Sequence, residues 1–453
     1  MKFFSIILSQ INSGSARTVV VKKNILGSFV IKGFSVATSL LLIPVTLTML
    51  NSEKYGIWIT LYSIVHWFNM MDIGLGNGFR NKFAEAVALG ENERARKYIE
   101  TIYGSTFIIA IFLFSVYTIA HPFLNWYKIL NITGPFDENI SIIVWIVFGL
   151  FSIQLVLKNI KTILLALQKT ALSNAIGFIG NLITLVAIII LGKYHLANLR
   201  TISMVFMLSP IIVSAIATFV LFEKKLKNFI PHNLKIKREF FGSMINLGIK
   251  FFFIQVTTIV MFTSANFIIT QLFGPKEVTP YDITYRLFAS TISIFSIIIT
   301  PFWSAFTEAI TKHDFSWIKR ALKKLKTIWM FFTLGILGLL FLSPIIFHYW
   351  IGDKVKISFI LSVMFALYVA LLSWTGMFAQ FLNGVGKIKV QLYIAIFQCI
   401  SNIPLAIILA KYLNLGISGV ILATNINLML SAIILPIQVR KISNQNAHGS
   451  WNK

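Results

Sequence analysis

Apolar runs recur from one end of the chain to the other, separated by short polar connections. Twelve of them reach the roughly 20 residues that a helix needs to cross a hydrocarbon core about 30 Å thick. They are 24–50, 55–75, 98–120, 139–157, 171–192 and 201–222, then 243–273, 282–306, 327–347, 357–382, 391–412 and 415–436. The runs are apolar on all sides instead of alternating with period two, which excludes a membrane β-barrel. The pattern predicts an all-α integral membrane protein with about 12 transmembrane helices. Composition agrees, since 57% of residues are hydrophobic against roughly 45–50% in soluble domains.

Charge adds the topology. A formal net charge of +25 in a soluble protein would point to nucleic acid, but here the cations sit mainly in connections between apolar runs, so no nucleic-acid partner is expected. Lysine and arginine concentrate in the N-terminal segment, in the connections after even-numbered spans and in the tail. The connection 223–241 alone carries five lysines and one arginine. By the positive-inside rule both termini face the cytoplasm. The predicted divisions are a cytoplasmic or interfacial leader (1–23), an N-lobe of spans 1–6 (24–222), a basic cytoplasmic linker (223–242), a C-lobe of spans 7–12 (243–437) and a cytoplasmic tail (438–453). One cysteine, Cys399, and seven scattered histidines leave no disulfide and no metal cluster to expect.

Short matches in the same order point to an internal repeat. Ile31-Lys32 in span 1 matches Ile249-Lys250 in span 7. Phe83-Ala84-Glu85-Ala86 matches Phe306-Thr307-Glu308-Ala309, and Lys193-Tyr194 matches Lys411-Tyr412. Six spans per half make the repeats parallel, so the expected architecture is two six-helix lobes with a central cleft. Pro44, Pro210, Pro301, Pro344 and Pro404 lie inside spans, where each removes a backbone donor.

Charged groups inside a bilayer are costly, roughly 2.5–3.5 kcal/mol each on insertion scales, and so mark candidate chemistry. Lys32 lies about 12 Å into span 1 at roughly 1.5 Å per residue, and Lys250 takes a similar place in span 7. Both facing a lumen, they suit an anion such as a diphosphate; the alternative is that each snorkels to the headgroups. Arg286 in span 8 follows Asp282 by four residues, the spacing of a structural ion pair, or else it meets the same anion from the outer side. Asp72, at the end of span 2, is the candidate for ion coupling, with an interfacial cap or a partner for Arg80 as the alternative. Gly74, Gly76 and Gly78 follow it, and with Pro301 they are candidates for a gate or hinge.

The segments that carry a family resemblance are Tyr55-Gly56-Ile57-Trp58, Asp72-Ile73-Gly74-Leu75-Gly76-Asn77-Gly78-Phe79-Arg80-Asn81, Thr300-Pro301-Phe302-Trp303-Ser304-Ala305 and Asn383-Gly384-Val385-Gly386-Lys387. With them the chain resembles the polysaccharide repeat-unit (O-antigen) flippases of the multidrug/oligosaccharidyl-lipid/polysaccharide exporter superfamily. The resemblance implies a multi-pass protein of the bacterial inner membrane. Its cargo would be undecaprenyl-diphosphate-linked oligosaccharide, moved from the cytoplasmic to the periplasmic leaflet by alternating access beside other polysaccharide-assembly membrane proteins. It implies no enzyme activity and no cofactor, with coupling to a proton or sodium gradient. The alternatives are an ion-coupled drug or metabolite exporter of the same superfamily and a membrane polysaccharide polymerase or ligase.

Overall fold

The expected spans are helical wherever the computed structural model describes them, which is over residues 16–68, 74–167, 169–224, 226–233, 235–245, 264–311 and 313–452. In chain order the helices are α1 (Ala16–Met49), α2 (Ser52–Trp67), α3 (Leu75–Ala88), α4 (Asn92–Ala120), α5 (Ile140–Leu157), α6 (Asn159–Ala166) and α7 (Thr170–Lys193). They continue with α8 (Leu199–Lys224), α9 (Ser264–Phe273), α10 (Val278–Thr311), α11 (Phe315–Ile351), α12 (Phe359–Val385), α13 (Lys389–Ile407) and α14 (Gly416–Ser443). Among the described residues there is no strand, and nine helical stretches are each long and apolar enough to cross a membrane. Of the other three expected spans, 282–306 lies within α10, 55–75 overlaps α2, and 243–273 ends in α9. This is a multi-span membrane protein.

Two helices begin well before the apolar run inside them. α1 is already helical at Ala16, ahead of residue 24, and α11 begins at Phe315, not at residue 327. Hydropathy marks where a helix enters hydrocarbon, whereas a cap decides where it begins. At α11 that cap is Asp314, whose carboxylate accepts from the Trp317 backbone N–H at 2.9 Å. The first turns then bury Ile318, Ala321, Leu322 and Leu325 at helical spacing and leave lysines outside.

Contacts divide the chain into two compact units. The first holds α1 and α3 to α8, and the second holds α2 and α9 to α14. This division departs from chain order at α2, which packs in the second unit against α9 and α10. The reason is local: the Thr60 and Thr270 hydroxyls bond at 2.6 Å, and Asn266 donates to Ser63 at 2.9 Å. Each unit has its own aromatic core. Phe79, Phe83 and Tyr98 centre the first, and Phe295, Phe306 and Phe381 the second. Other polar side chains inside also find partners, such as Asn159 to Thr106 and Gln398 to Ser431, as helices packed in lipid require. The outward faces are apolar: Phe123 is 86% exposed and Phe341 72%, which hydrocarbon solvates and water would not.

The internal repeat reappears in the backbone. At one constant shift along the chain, Phe83 falls on Phe306, Gly90 on His313 and Glu91 on Asp314. Gly90 and His313 both take positive φ, 75° and 55°. Glu91 (φ −82°, ψ 69°) and Asp314 (φ −84°, ψ 69°) then open α4 and α11. Their amides reach back to Ala86 and Ala309, each at 2.9 Å. The turn is the same in both units, although only one of them uses glycine.

Candidate functional site

A polar space lies inside the second unit, where α2, α9, α10, α12 and α14 surround a cavity of about 150 Å3. Its chemistry comes largely from one face of α10, on which Tyr281, Asp282, Tyr285 and Arg286 follow at helical spacing. Asp282 is buried, with 5% exposure. Its Oδ2 accepts from Arg286 Nε at 2.7 Å and from the Tyr55 hydroxyl at 2.9 Å. The carboxylate is thus fixed from two helices, and the guanidinium is held by it. A guanidinium carries five N–H donors, and this pair engages the one on Nε. The Arg286 side chain keeps 31% of its surface and lines the cavity.

The walls are aromatic. Tyr62 and His66 on α2 stack at 6.1 Å with 22° between their planes, and Tyr285 meets Tyr368 of α12 at 6.3 Å. Tyr281 is set edge-on to Phe365 at 5.0 Å. A cation, a polar seam through Ser63 and Asn266, and tyrosine faces therefore converge on one small space within the membrane-spanning part. Such a lining accepts an anionic group at Arg286 and presents flat faces and hydroxyls to a polyhydroxylated ring.

The residues singled out from sequence fall in several places. Arg286 lies in the cavity and pairs with Asp282, as the four-residue spacing predicts. Lys32 is on α1 in the first unit, half-buried, and is not among the residues that line this cavity. Lys250 and Asp72 lie outside the described residues. Gly74 takes a left-handed φ of 73° and begins α3, a conformation that costs other residues about 1–2 kcal/mol. Gly76 follows, half-buried, in the first turn of α3. Gly78 sits so close to the chain at Met244 that an added Cβ would lie 2.0 Å from the carbonyl oxygen. Gly74 therefore serves a turn, and Gly78 a close packing contact within the first unit. Pro301 lies inside the continuous helix α10.

Sequence reasoning did not pick out the tyrosines. The signal was present: Tyr55, Tyr62 and His66 share one face of α2, and the repeat shift that joins Phe83 to Phe306 joins Tyr62 to Tyr285.

No family model matches the chain. It is 22% identical to a provisionally named O-antigen transporter of Salmonella typhimurium over 409 residues, 89% of this chain and 91% of the relative. It is likewise 22% identical to a provisionally named O-antigen export protein of Yersinia pseudotuberculosis, over 79% of this chain and 82% of that protein. Among solved structures, the inward-facing conformation of a multidrug resistance MATE family transporter of the MOP superfamily matches with a TM-score of 0.76 at 15% identity. That match covers 93% of this chain and 98% of the other. An outward-facing structure of such a transporter matches with a TM-score of 0.63 at 16% identity, over 94% and 96%. The chain has the MATE fold, and the resemblance read from its motifs is borne out along most of its length. Its relatives and structural neighbours are transporters, which sets aside the polymerase or ligase reading.

Proposed function

We propose that the chain is a flippase that carries lipid-linked O-antigen-type oligosaccharide units across a bacterial inner membrane, from the cytoplasmic to the periplasmic leaflet. The observation that carries this reading is the cavity of Arg286, Asp282 and tyrosines among membrane helices, in a chain whose relatives are named for O-antigen. A cation among membrane helices needs a partner or a task. Asp282 supplies the partner and the orientation, and the Nη donors address an anionic group of the cargo. The tyrosines lie against its sugar rings.

In this proposal Lys32 and Lys250 take the diphosphate of the undecaprenyl carrier, and Asp72 couples transport to a proton or sodium gradient. Gly74, Gly76, Gly78 and Pro301 belong to the elements that gate the passage. Both termini face the cytoplasm, as the distribution of lysine and arginine favours. Transport proceeds by alternating access, with other polysaccharide-assembly proteins downstream.

The test is where cargo stops. In cells lacking the chain, lipid-linked units should accumulate on the inner face, out of reach of a glycan probe confined to the outside, and re-expression should restore labelling. Outer-face labelling at wild-type level without the chain overturns the proposal. The solved neighbours favour a second reading, a drug exporter on the same fold. It would show instead as drug sensitivity with an intact surface glycan.

A further inference from the structure

The first turns of α11 and the last turn of α14 line an open cavity of about 530 Å3 in the second unit. Lys319, Lys323 and Lys326, spaced i, i+4 and i+7, enter it from α11, and Arg440 enters it from α14. The rest of the lining includes Leu322, Phe378 and Ile437. The Lys326 ammonium lies 5.9 Å from the centre of the Phe378 ring. No carboxylate lines the cavity, and among the described residues none of the four cations is in an ion pair.

The equivalent helix of the other unit shows that this excess is not a property of the element. On α4 the cations are matched by acids: Arg94 pairs with Glu91 at 2.7 Å, and Lys97 with Glu93 at 2.9 Å. The repeat shift places Lys323 of α11 where α4 has Glu100. Glu100 is itself buried and accepts the His232 backbone N–H at 3.1 Å. From Phe315 to Lys326, by contrast, α11 carries five cations and no acid. The positive-inside bias asks for cations in this connection. It does not ask two helices to aim them into one cavity with an apolar wall.

The cations stand at the border of the bilayer, since the apolar run of α11 begins at residue 327 and that of α14 ends at residue 436. Charge, depth and the apolar wall fit an amphiphile with a negative head. We propose that this cavity binds the phosphodiester headgroup of an anionic phospholipid of the bilayer. The phosphate lies between the α11 lysines and Arg440, and an acyl chain lies along Leu322, Phe378 and Ile437. The site is separate from the cargo cavity and does not depend on what the protein transports.

The test uses the full-length protein in nanodiscs of phosphatidylcholine alone or with one fifth phosphatidylglycerol, followed by extraction and quantification of co-purified lipid. The wild type should enrich the anionic lipid. K319Q/K323Q/K326Q should lower that affinity on the order of 100-fold, from about fivefold per basic side chain at a membrane surface. K319R/K323R/K326R should retain it, and so should R320Q/K324Q, which removes charge from the same helix outside the cavity. Unchanged enrichment in the Gln triple variant overturns the proposal, and so does an equal loss in R320Q/K324Q, which would reduce the effect to net charge. Inorganic phosphate that raises the Tm of lipid-free protein as much as the anionic lipid does would overturn the lipid assignment. Should the triple variant not fold, K323Q alone carries the test, with about a fivefold loss expected and no loss overturning the proposal.

Discussion

Replacing Arg286 by Gln separates the two tasks that the buried pair performs. The change leaves Asp282, only 5% exposed, without the guanidinium that now stands 2.7 Å away, and with the Tyr55 hydroxyl at 2.9 Å as its remaining donor. Stripping one partner from a buried pair costs roughly 3–5 kcal/mol. Because the Arg286 side chain is 31% exposed to the cavity, the lower end applies, about 3 kcal/mol. Asp282→Asn leaves the cation facing an open space and costs less, about 1.5 kcal/mol, the worth of a hydrogen bond to a charged group. The double variant leaves neither charge stranded and should cost well under the additive total, with a coupling of about 2 kcal/mol. Denaturant unfolding of the three purified variants in one detergent measures this. Surface glycan in a strain lacking the chain measures transport beside it. If Arg286 meets the cargo, the double variant recovers the fold and still fails to transport. Additive stability losses would refute the coupling, and full transport by the double variant would refute the cargo role.

Gly78→Ala should cost about 1–3 kcal/mol through a backbone clash that no rotamer relieves, whereas Gly242→Ala, in a helical stretch with open space around it, should hold or raise the melting temperature. Gly90→Ala should destabilise by about 1 kcal/mol and His313→Gly should stabilise by up to that amount, because both positions hold the same left-handed turn and only one has the residue suited to it. Opposite shifts in melting temperature check this. The Trp317 amide, and then the Ser316 hydroxyl, hold the Asp314 carboxyl below its ordinary value of 3.8. A depressed folded value contributes stability above pH 3.8 that is lost as pH falls below it. Asp314→Ala should remove that part of the acid dependence, read as melting temperature against pH.

Hydropathy made the spans legible because a bilayer leaves few choices: every backbone group must bond within its own helix, and every outward side chain must suit hydrocarbon. It misplaced the start of α11 because that start is set by the Asp314 cap and by amphipathic turns ahead of the apolar run. The Asp282–Arg286 pair was legible from a four-residue spacing. Its third member, Tyr55, was not, since it comes from a helix that chain order assigns to the other lobe. The glycines after span 2 read from sequence as a gate or hinge. The geometry at two of them is a left-handed turn at Gly74 and, at Gly78, a carbonyl too close for a Cβ.

The repeat locates function by where it fails. One shift along the chain carries Phe83 onto Phe306 and Tyr62 onto Tyr285, so aromatic packing is copied and even doubled within one cavity. The same shift carries Ile59 onto Asp282 and Ser63 onto Arg286. Both members of each couple line the cavity, but the ion pair exists in the second copy alone. At the helix ends it carries Glu100 onto Lys323, changing a compensated set of charges into an open basic cavity. Packing alone explains the copied residues, because each unit must fill a core of similar shape. It does not explain the departures, which introduce charge among membrane helices or concentrate one sign of charge beside the membrane, at a cost that packing does not require. Under the two proposals above, those are the positions at which a ligand, and not the fold, supplies the reason for the residue.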